Sequence, residues 1–143
     1  MKQKLDSASL EHLRIGQKLP LITLGPVTAY DALAMAGLSR DFHPVRILND
    51  VAAEAGHPGL VLHPLLISGF VGHALSQMAA GYGMSGITIS YLAPAYQDDT
   101  LVLDCTLAAR DRSGVIVLSF EVRHSKRGAL ALGRARMRTP EGL

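Results

Sequence analysis

Three side chains able to move a proton or hold an anion fall within six positions of the stretch SRDFHPVRILND, residues 39–50: Asp41, His43 and Arg46. A carboxylate can take a proton from water, and an imidazole can give or take one near neutral pH. Arginine keeps its charge under ordinary conditions, so Arg46 is no general base. It suits a substrate carboxylate, phenolate or enolate better. A guanidinium near Asp41 favours the carboxylate form and lowers its pKa, which weakens Asp41 as a base for water. A second pair, His63-Pro64, stands at the head of a long apolar segment. His43, two residues from Asp41 on an extended loop, is placed to point the same way, and His63 supplies the other candidate imidazole.

The elements that hold these residues can be read from local pattern. Gln17 to Leu24 reads as a short first strand, ended by Gly25-Pro26. Thr28 is a helix N-cap, with Asp31 three residues on in the sense of a capping box. The segment YDALAMAG is helical, and Gly37 fits the end. The stretch 39–50 follows as a loop, after which Asn49 or Asp50 caps a short helix, VAAEA, closed by Gly56. Pro64 opens PLLISGFVGHALSQMAAG, a helix apolar nearly all round and expected to be buried on most faces. Gly69 and Gly72 in it weaken the helix by roughly 1 kcal/mol each, which makes sense if something packs very close there.

From Ser85 the period changes to two. GITISYLAPAY, TLVLDCTLAAR, GVIVLSFEVRH and ALALGRARMRT read as four consecutive strands. The links are Gln97-Asp98-Asp99, Asp111 to Gly114 and Ser125 to Gly128, all short enough for antiparallel neighbours. The expectation is an α+β domain spanning 1–143, with an antiparallel sheet wrapped around a long buried central helix.

Composition narrows the function classes. The chain has 143 residues, 48% hydrophobic and 18% charged, which suits one domain with a real core. Its single cysteine, Cys105, excludes an intrachain disulfide and a cysteine-based zinc site, and fits a reducing compartment. A net charge of +2 is too small to argue for nucleic acid. The N-terminus does not read as a signal peptide, and no run reaches the length of a membrane span. A cytoplasmic location without membrane contact is expected. Arg134, Arg136 and Arg138 alternate and so share one face. They read as a solvated sheet face, or as a landing site for an anionic partner.

Three segments, GPVTAYDALAMAGLSRDFHPVR, GLVLHPLLISGFVGHAL and YLAPAYQDDTLVLDCTL, match in order and spacing a known pattern. Through them the chain resembles the hotdog fold, and within it the MaoC-like (R)-specific enoyl hydratase/dehydratase family. The resemblance implies a substrate carried as an acyl thioester of coenzyme A or of an acyl carrier protein, with the acyl chain in a tunnel beside the central helix. It implies that an Asp and a His, five residues apart, hold the water added to or removed from a 2-enoyl thioester. It also implies a backbone N–H at the helix start that polarises the thioester oxygen. No cofactor or metal is implied. Hotdog units pair, so a homodimer or a pairing with a second hotdog chain is expected.

Against that family the chain departs at four places. Asp41 keeps the Asp position, but Arg46 stands where the His belongs and His43 where the family has Asn. His-Gly at the helix start reads His63-Pro64, and the Gly-Asp-Thr turn reads Asp98-Asp99-Thr100. Proline has no N–H, so the expected oxyanion donor shifts to Leu65 or Leu66; with Ser68 these form the expected substrate-binding set. Asp41, His43, Arg46 and His63 are the expected catalytic set. The plainer readings are a loop-capping Asp41, solvent-facing His43 and Arg46, and Pro64 as a helix starter. His73 reads as a core histidine, His12 and His57 as surface residues, and Cys105 as a small hydrophobe.

Three functions fit these residues. One is a hydro-lyase on acyl thioesters, with Asp41 as base and His43 or His63 as the rebuilt partner. Another is a repurposed dehydratase or cyclase on a polyketide-like intermediate. The third is a non-catalytic hotdog subunit that completes the tunnel of an active neighbour. The balance favours a MaoC-like dehydratase/hydratase with an atypical site.

Overall fold

In β3 (Leu101–Arg110) alternate residues Leu101, Leu103, Cys105 and Leu107 are buried, and this face sets the inside of the molecule. The computed structural model describes residues 10–139. The segment 1–9, read above as lacking a signal-peptide pattern, and the last four positions of the expected 1–143 domain lie outside the described residues. Before β3 come β1 (Ile22–Leu24), α1 (Ala29–Ser39), a 3-10 turn (Pro44–Arg46), α2 (Asn49–Glu54), α3 (Pro64–Met78) and β2 (Gly83–Tyr91). After it come β4 (Val115–His124) and β5 (Gly128–Arg138). The five strands form one antiparallel sheet in the order β1-β3-β4-β5-β2. Ile67, Val71, Leu75 and Met78 of α3 share one core with the inner sheet face. This is the α+β arrangement, an antiparallel sheet packed on a long helix, that the period change implied.

The strand order corrects the expectation that the four consecutive strands are each paired with the next. β3, β4 and β5 are joined by tight turns and pair in sequence. β2 pairs with β5 and not with β3. The chain leaves the sheet after Tyr91, where Pro94 has no amide to continue a ladder. Tyr96 instead bridges Val61. The first strand is also shorter than expected. Pro20 interrupts it, leaving Ile22–Leu24 and an isolated bridge at Lys18.

Helix ends show similar differences. The Thr28–Asp31 capping box is present in full. α1 runs through Gly37 and ends at Arg40, whose φ of 55° supplies the left-handed turn. Neither Asn49 nor Asp50 caps α2; Leu48 holds that place without a side-chain bond. α3 ends at Met78, before Gly81. Burial of α3 is one-sided, because its buried residues fall on a single stripe and leave Leu65 57% exposed. Nothing lies within 4 Å of a Cβ built at Gly69 or Gly72, so the expected close neighbour is not part of this chain's described residues. His73 is exposed on the same open face, and is therefore no core histidine.

Cys105 is fully buried, and burial pushes its thiol up to about 12, so it acts as a small apolar residue. On the outer face, Asp104 is the one buried charged residue among the described residues, at 8% exposed. Lys18 Nζ and Arg123 Nη2 reach its carboxylate at 2.6 and 2.8 Å. The Lys18 hydrogen bond first, then Arg123, holds its carboxyl below the ordinary 3.8. Arg134 and Arg136 are exposed on this face, away from the α3 side where Ala135 and Met137 are buried.

Two outcomes follow from the sheet. A Cβ on Gly133 would meet Phe120 Cζ at 2.7 Å and would overlap Thr88 O, so Gly133→Ala is expected to cost about 1–3 kcal/mol in urea unfolding. Asp104→Asn is expected to cost about 1 kcal/mol at pH 7, limited by the exposure of Lys18 and Arg123. Because the folded-state pKa is depressed, that contribution is present above the unfolded value of 3.8 and is lost as pH falls through the folded value. Unfolding curves of the two proteins, compared at successively lower pH, should converge.

Candidate active site

Ser39 begins the placement of Asp41. Its hydroxyl donates to Met35 O at 2.7 Å and accepts the Asp41 N–H at 3.3 Å, carrying the chain out of α1. Pro44 then starts the 3-10 turn, with His43 as its cap. Val61 N–H donates to Val45 O at 3.0 Å, which fixes this turn against the extended segment before α3. That segment is itself held by Leu62 N–H to Ala95 O and Gln97 N–H to Leu60 O.

The result is a cluster around the Asp41 carboxylate. Oδ1 accepts the His43 N–H at 3.2 Å. Oδ2 lies 2.9 Å from Arg46 Nε and 3.4 Å from His63 Nε2. The buried Arg46 N–H at Nε is not aligned for a hydrogen bond, so that contact is an ion pair. The His43 amide first, then the Arg46 guanidinium and the nearby His63 ring, hold the Asp41 carboxyl below its ordinary 3.8, against an opposing push from partial burial. The side chain is 33% exposed, which leaves it reachable by water.

His63 has two jobs. As N-cap of α3 its Nδ1 accepts the Leu65 N–H at 3.1 Å. That acceptor role places the ring proton on Nε2, the atom turned toward Asp41. Arg46 also has two engagements. Besides Asp41, its Nη1 donates to Leu62 O at 3.0 Å and, more weakly, to Val61 O at 3.4 Å. It therefore ties the Asp41 loop to the extended segment leading into α3.

Arg46 and Pro64 also line a cleft of about 300 Å³. Its wall is mostly apolar, with Leu62, Ile67, Leu92, Leu101 and Leu130 among the residues that form it. Asp41 and His63 reach this cleft only through Arg46, and a polar group beside an apolar cleft is a usual form of a small-molecule site.

The expected site residues divide on this geometry. Asp41, Arg46 and His63 come together. The His43 side chain does not join them: it is exposed, and its Nδ1 accepts the Val45 N–H at 3.4 Å. Neither of the amides expected to serve a substrate oxygen is free. Leu65 N–H goes to the His63 ring and Leu66 N–H to His63 O at 2.9 Å. The Ser68 hydroxyl pairs with the Tyr91 hydroxyl.

Tyr91 lines the cleft and was not foreseen, since its partner is 23 residues away and only the packing of α3 on β2 brings them together. A further group behind the cleft also escaped the sequence. His57, expected at the surface, is half-buried with Nδ1 3.2 Å from Tyr96 Oη. Arg127 stacks on Tyr96 and pairs with Asp99. Asp98, in the place of the family's glycine, takes a left-handed φ of 66°.

No family model matches the sequence, and no curated protein does so either. Among solved structures, the R-hydratase PhaJ1 from Pseudomonas aeruginosa superposes with a TM-score of 0.80 at 20% identity, covering 91% of this chain and 84% of that one. The (R)-hydratase from A. caviae involved in PHA biosynthesis gives 0.79 at 21%, covering 91% and 99%. The ChsH1–ChsH2 complex from Mycobacterium tuberculosis gives 0.75 at 20%, covering 88% and 98%. The chain therefore has the hotdog fold of the R-hydratases and MaoC-like dehydratases. Its similarity in sequence to these structures is low, and the site has to be argued from its own residues.

The dual role of His63 can be separated by substitution. His63→Asn keeps a side chain able to cap α3, whereas His63→Ala loses the cap and should cost about 1 kcal/mol more in thermal or urea unfolding. Equal stabilities would show that the Nδ1 bond contributes little to the helix.

Proposed function

We propose that the chain is a hydratase/dehydratase of 2-enoyl thioesters, with Asp41 as the proton-transfer group and His63 as its positioning partner. The observation that carries this reading is the approach of Arg46 Nε and His63 Nε2 to one carboxylate oxygen, with Arg46 itself lining an apolar cleft. Water at Asp41 loses a proton to the carboxylate while its oxygen bonds to C3 of the enoyl group. The C2=C3 electron pair moves toward the carbonyl oxygen as an enolate. Asp41 then returns the proton to C2, and the sum is addition of one water. With its proton on Nε2 and Nδ1 occupied, His63 donates to Asp41 or to the water and does not itself deliver a proton. Dehydration is the same path reversed. No cofactor is needed for it.

The thioester would be one of coenzyme A or an acyl carrier protein; a polyketide-like intermediate suits the same cleft, since Arg46 replaces the family's histidine. A cytoplasmic location suits these substrates. We propose further that a second hotdog chain, identical or not, covers the open face of α3. Leu65 on that helix and Ile87, Tyr91 and Leu92 on and after β2 are exposed apolar residues, and β2 is an edge strand.

A non-catalytic subunit remains the second reading, favoured by one observation. With the Leu65 and Leu66 amides engaged, the start of α3 offers neither of the expected donors to a substrate oxygen.

Hydration of short and medium 2-enoyl-CoA thioesters by purified protein decides between them. Turnover by the wild type and a loss of at least about 100-fold in Asp41→Ala would support the lyase. Because Asp41 is depressed below 3.8 and must be ionised to act, kcat/KM should show no acid limb from this group across the neutral range. No turnover by the wild type, alone and with candidate partner chains, would sink the reading.

A further inference from the structure

The proposed reaction places negative charge on a carbonyl oxygen, and that oxygen needs a donor. The first turn of α3 is the obvious source in a helix. Here Pro64 has no N–H, Leu65 N–H is bonded to His63 Nδ1 and Leu66 N–H to His63 O. The Tyr91 hydroxyl, also at the cleft, is paired with Ser68. Among the cationic side chains that line the cleft, Arg46 alone offers a further donor, its third nitrogen. Nη1 is held by Leu62 O and Val61 O, and Nε faces Asp41. Nη2 makes no hydrogen bond among the described residues, and it is not among the buried atoms that lack partners.

Nη2 shares an edge of the planar guanidinium with Nε, and Nε faces Asp41. An oxygen bound at Nη2 therefore sits beside the base. We propose that Arg46 Nη2 is the oxyanion donor of this site, binding the carbonyl oxygen of a conjugated thioester and the enolate formed from it. The assignment rests on the lyase reading of the same cleft. It explains why the histidine could be exchanged for a residue that cannot act as a base. A carboxylate made weaker as a base by its neighbours asks for stronger stabilisation of the enolate, and a fixed cation two bonds from Nε provides it. Because the guanidinium is held by the Nη1 hydrogen bonds and the ion pair to Asp41, Nη2 need not reorganise during the reaction.

The test uses a 3-oxobutanoyl-CoA ligand, which gives up a C2 proton to form an enolate with its own near-ultraviolet band. Bound to the wild type at fixed pH, the ligand is expected to show an enolate fraction raised roughly tenfold to hundredfold over the free ligand. Asp41→Asn should keep that increase. Arg46→Gln should lose it, and Arg46→Lys, which keeps the charge without the fork, should keep part of it. Far-ultraviolet circular dichroism and a melt establish that each variant is folded; if Arg46→Gln is not, Arg46→Lys against the wild type decides. An unchanged band in the wild type, or a folded Arg46 variant with the full increase, would overturn the assignment. Hydration of 2-enoyl-CoA is measured alongside. An enolate increase that depends on Arg46 without any hydration would leave the oxyanion assignment standing and remove the lyase reading.

Discussion

A helix that begins with proline has one amide fewer to satisfy, and at the head of α3 this constraint organises the site. Pro64 sets the first helical φ, and His63 before it must close the turn. It does so with a ring nitrogen to Leu65 and a carbonyl to Leu66. Both bonds stabilise the helix start and both withdraw donors from any ligand. The ring bond also orients the imidazole, leaving Nε2 toward Asp41. Helix capping and site chemistry are thus one set of hydrogen bonds.

Arg46 is the second consequence. It crosses from the Asp41 loop to the extended segment that enters α3, and its bonds to Leu62 O and Val61 O act over a separation of 15 to 16 residues. A histidine in its place would be shorter and would offer one ring N–H when neutral. The guanidinium offers five in a plane, so it can brace a loop, pair with a carboxylate and keep a nitrogen in reserve. Its presence makes Asp41 more firmly ionised, which favours a fixed negative charge over a strong base.

Much of this was legible before any coordinates. The Thr28–Asp31 cap, the Pro64 start of α3 and the alternation of β3 are local signals, each carried by a few neighbouring residues. The meeting of Asp41, Arg46 and His63 was expected from their types and from the family likeness. The misses are non-local. The placement of β2 beside β5 depends on where the chain goes after Tyr91. His57 beside Tyr96, and Ser68 beside Tyr91, depend on packing between segments with no common pattern. Engagement of the Leu65 amide was missed because it depends on the rotamer of His63. The open face of α3 had a different cause: apolar residues all round a helix do not say which neighbours belong to the same chain.

The strand order has a bearing on how the chain folds. β3, β4 and β5 follow one another through tight turns and can pair by local search. β2 precedes all three, yet its ladder partner is the last of them. It has to wait until β5 exists, and the closing loop then spans the intervening sheet. On the ribosome this leaves α3 and β2 made but unpaired while the final strand is synthesised. The bulge between Met84 and Gly86 and the polar residues Ser85, Thr88 and Ser90 along β2 make that waiting edge a poorer template for wrong pairing.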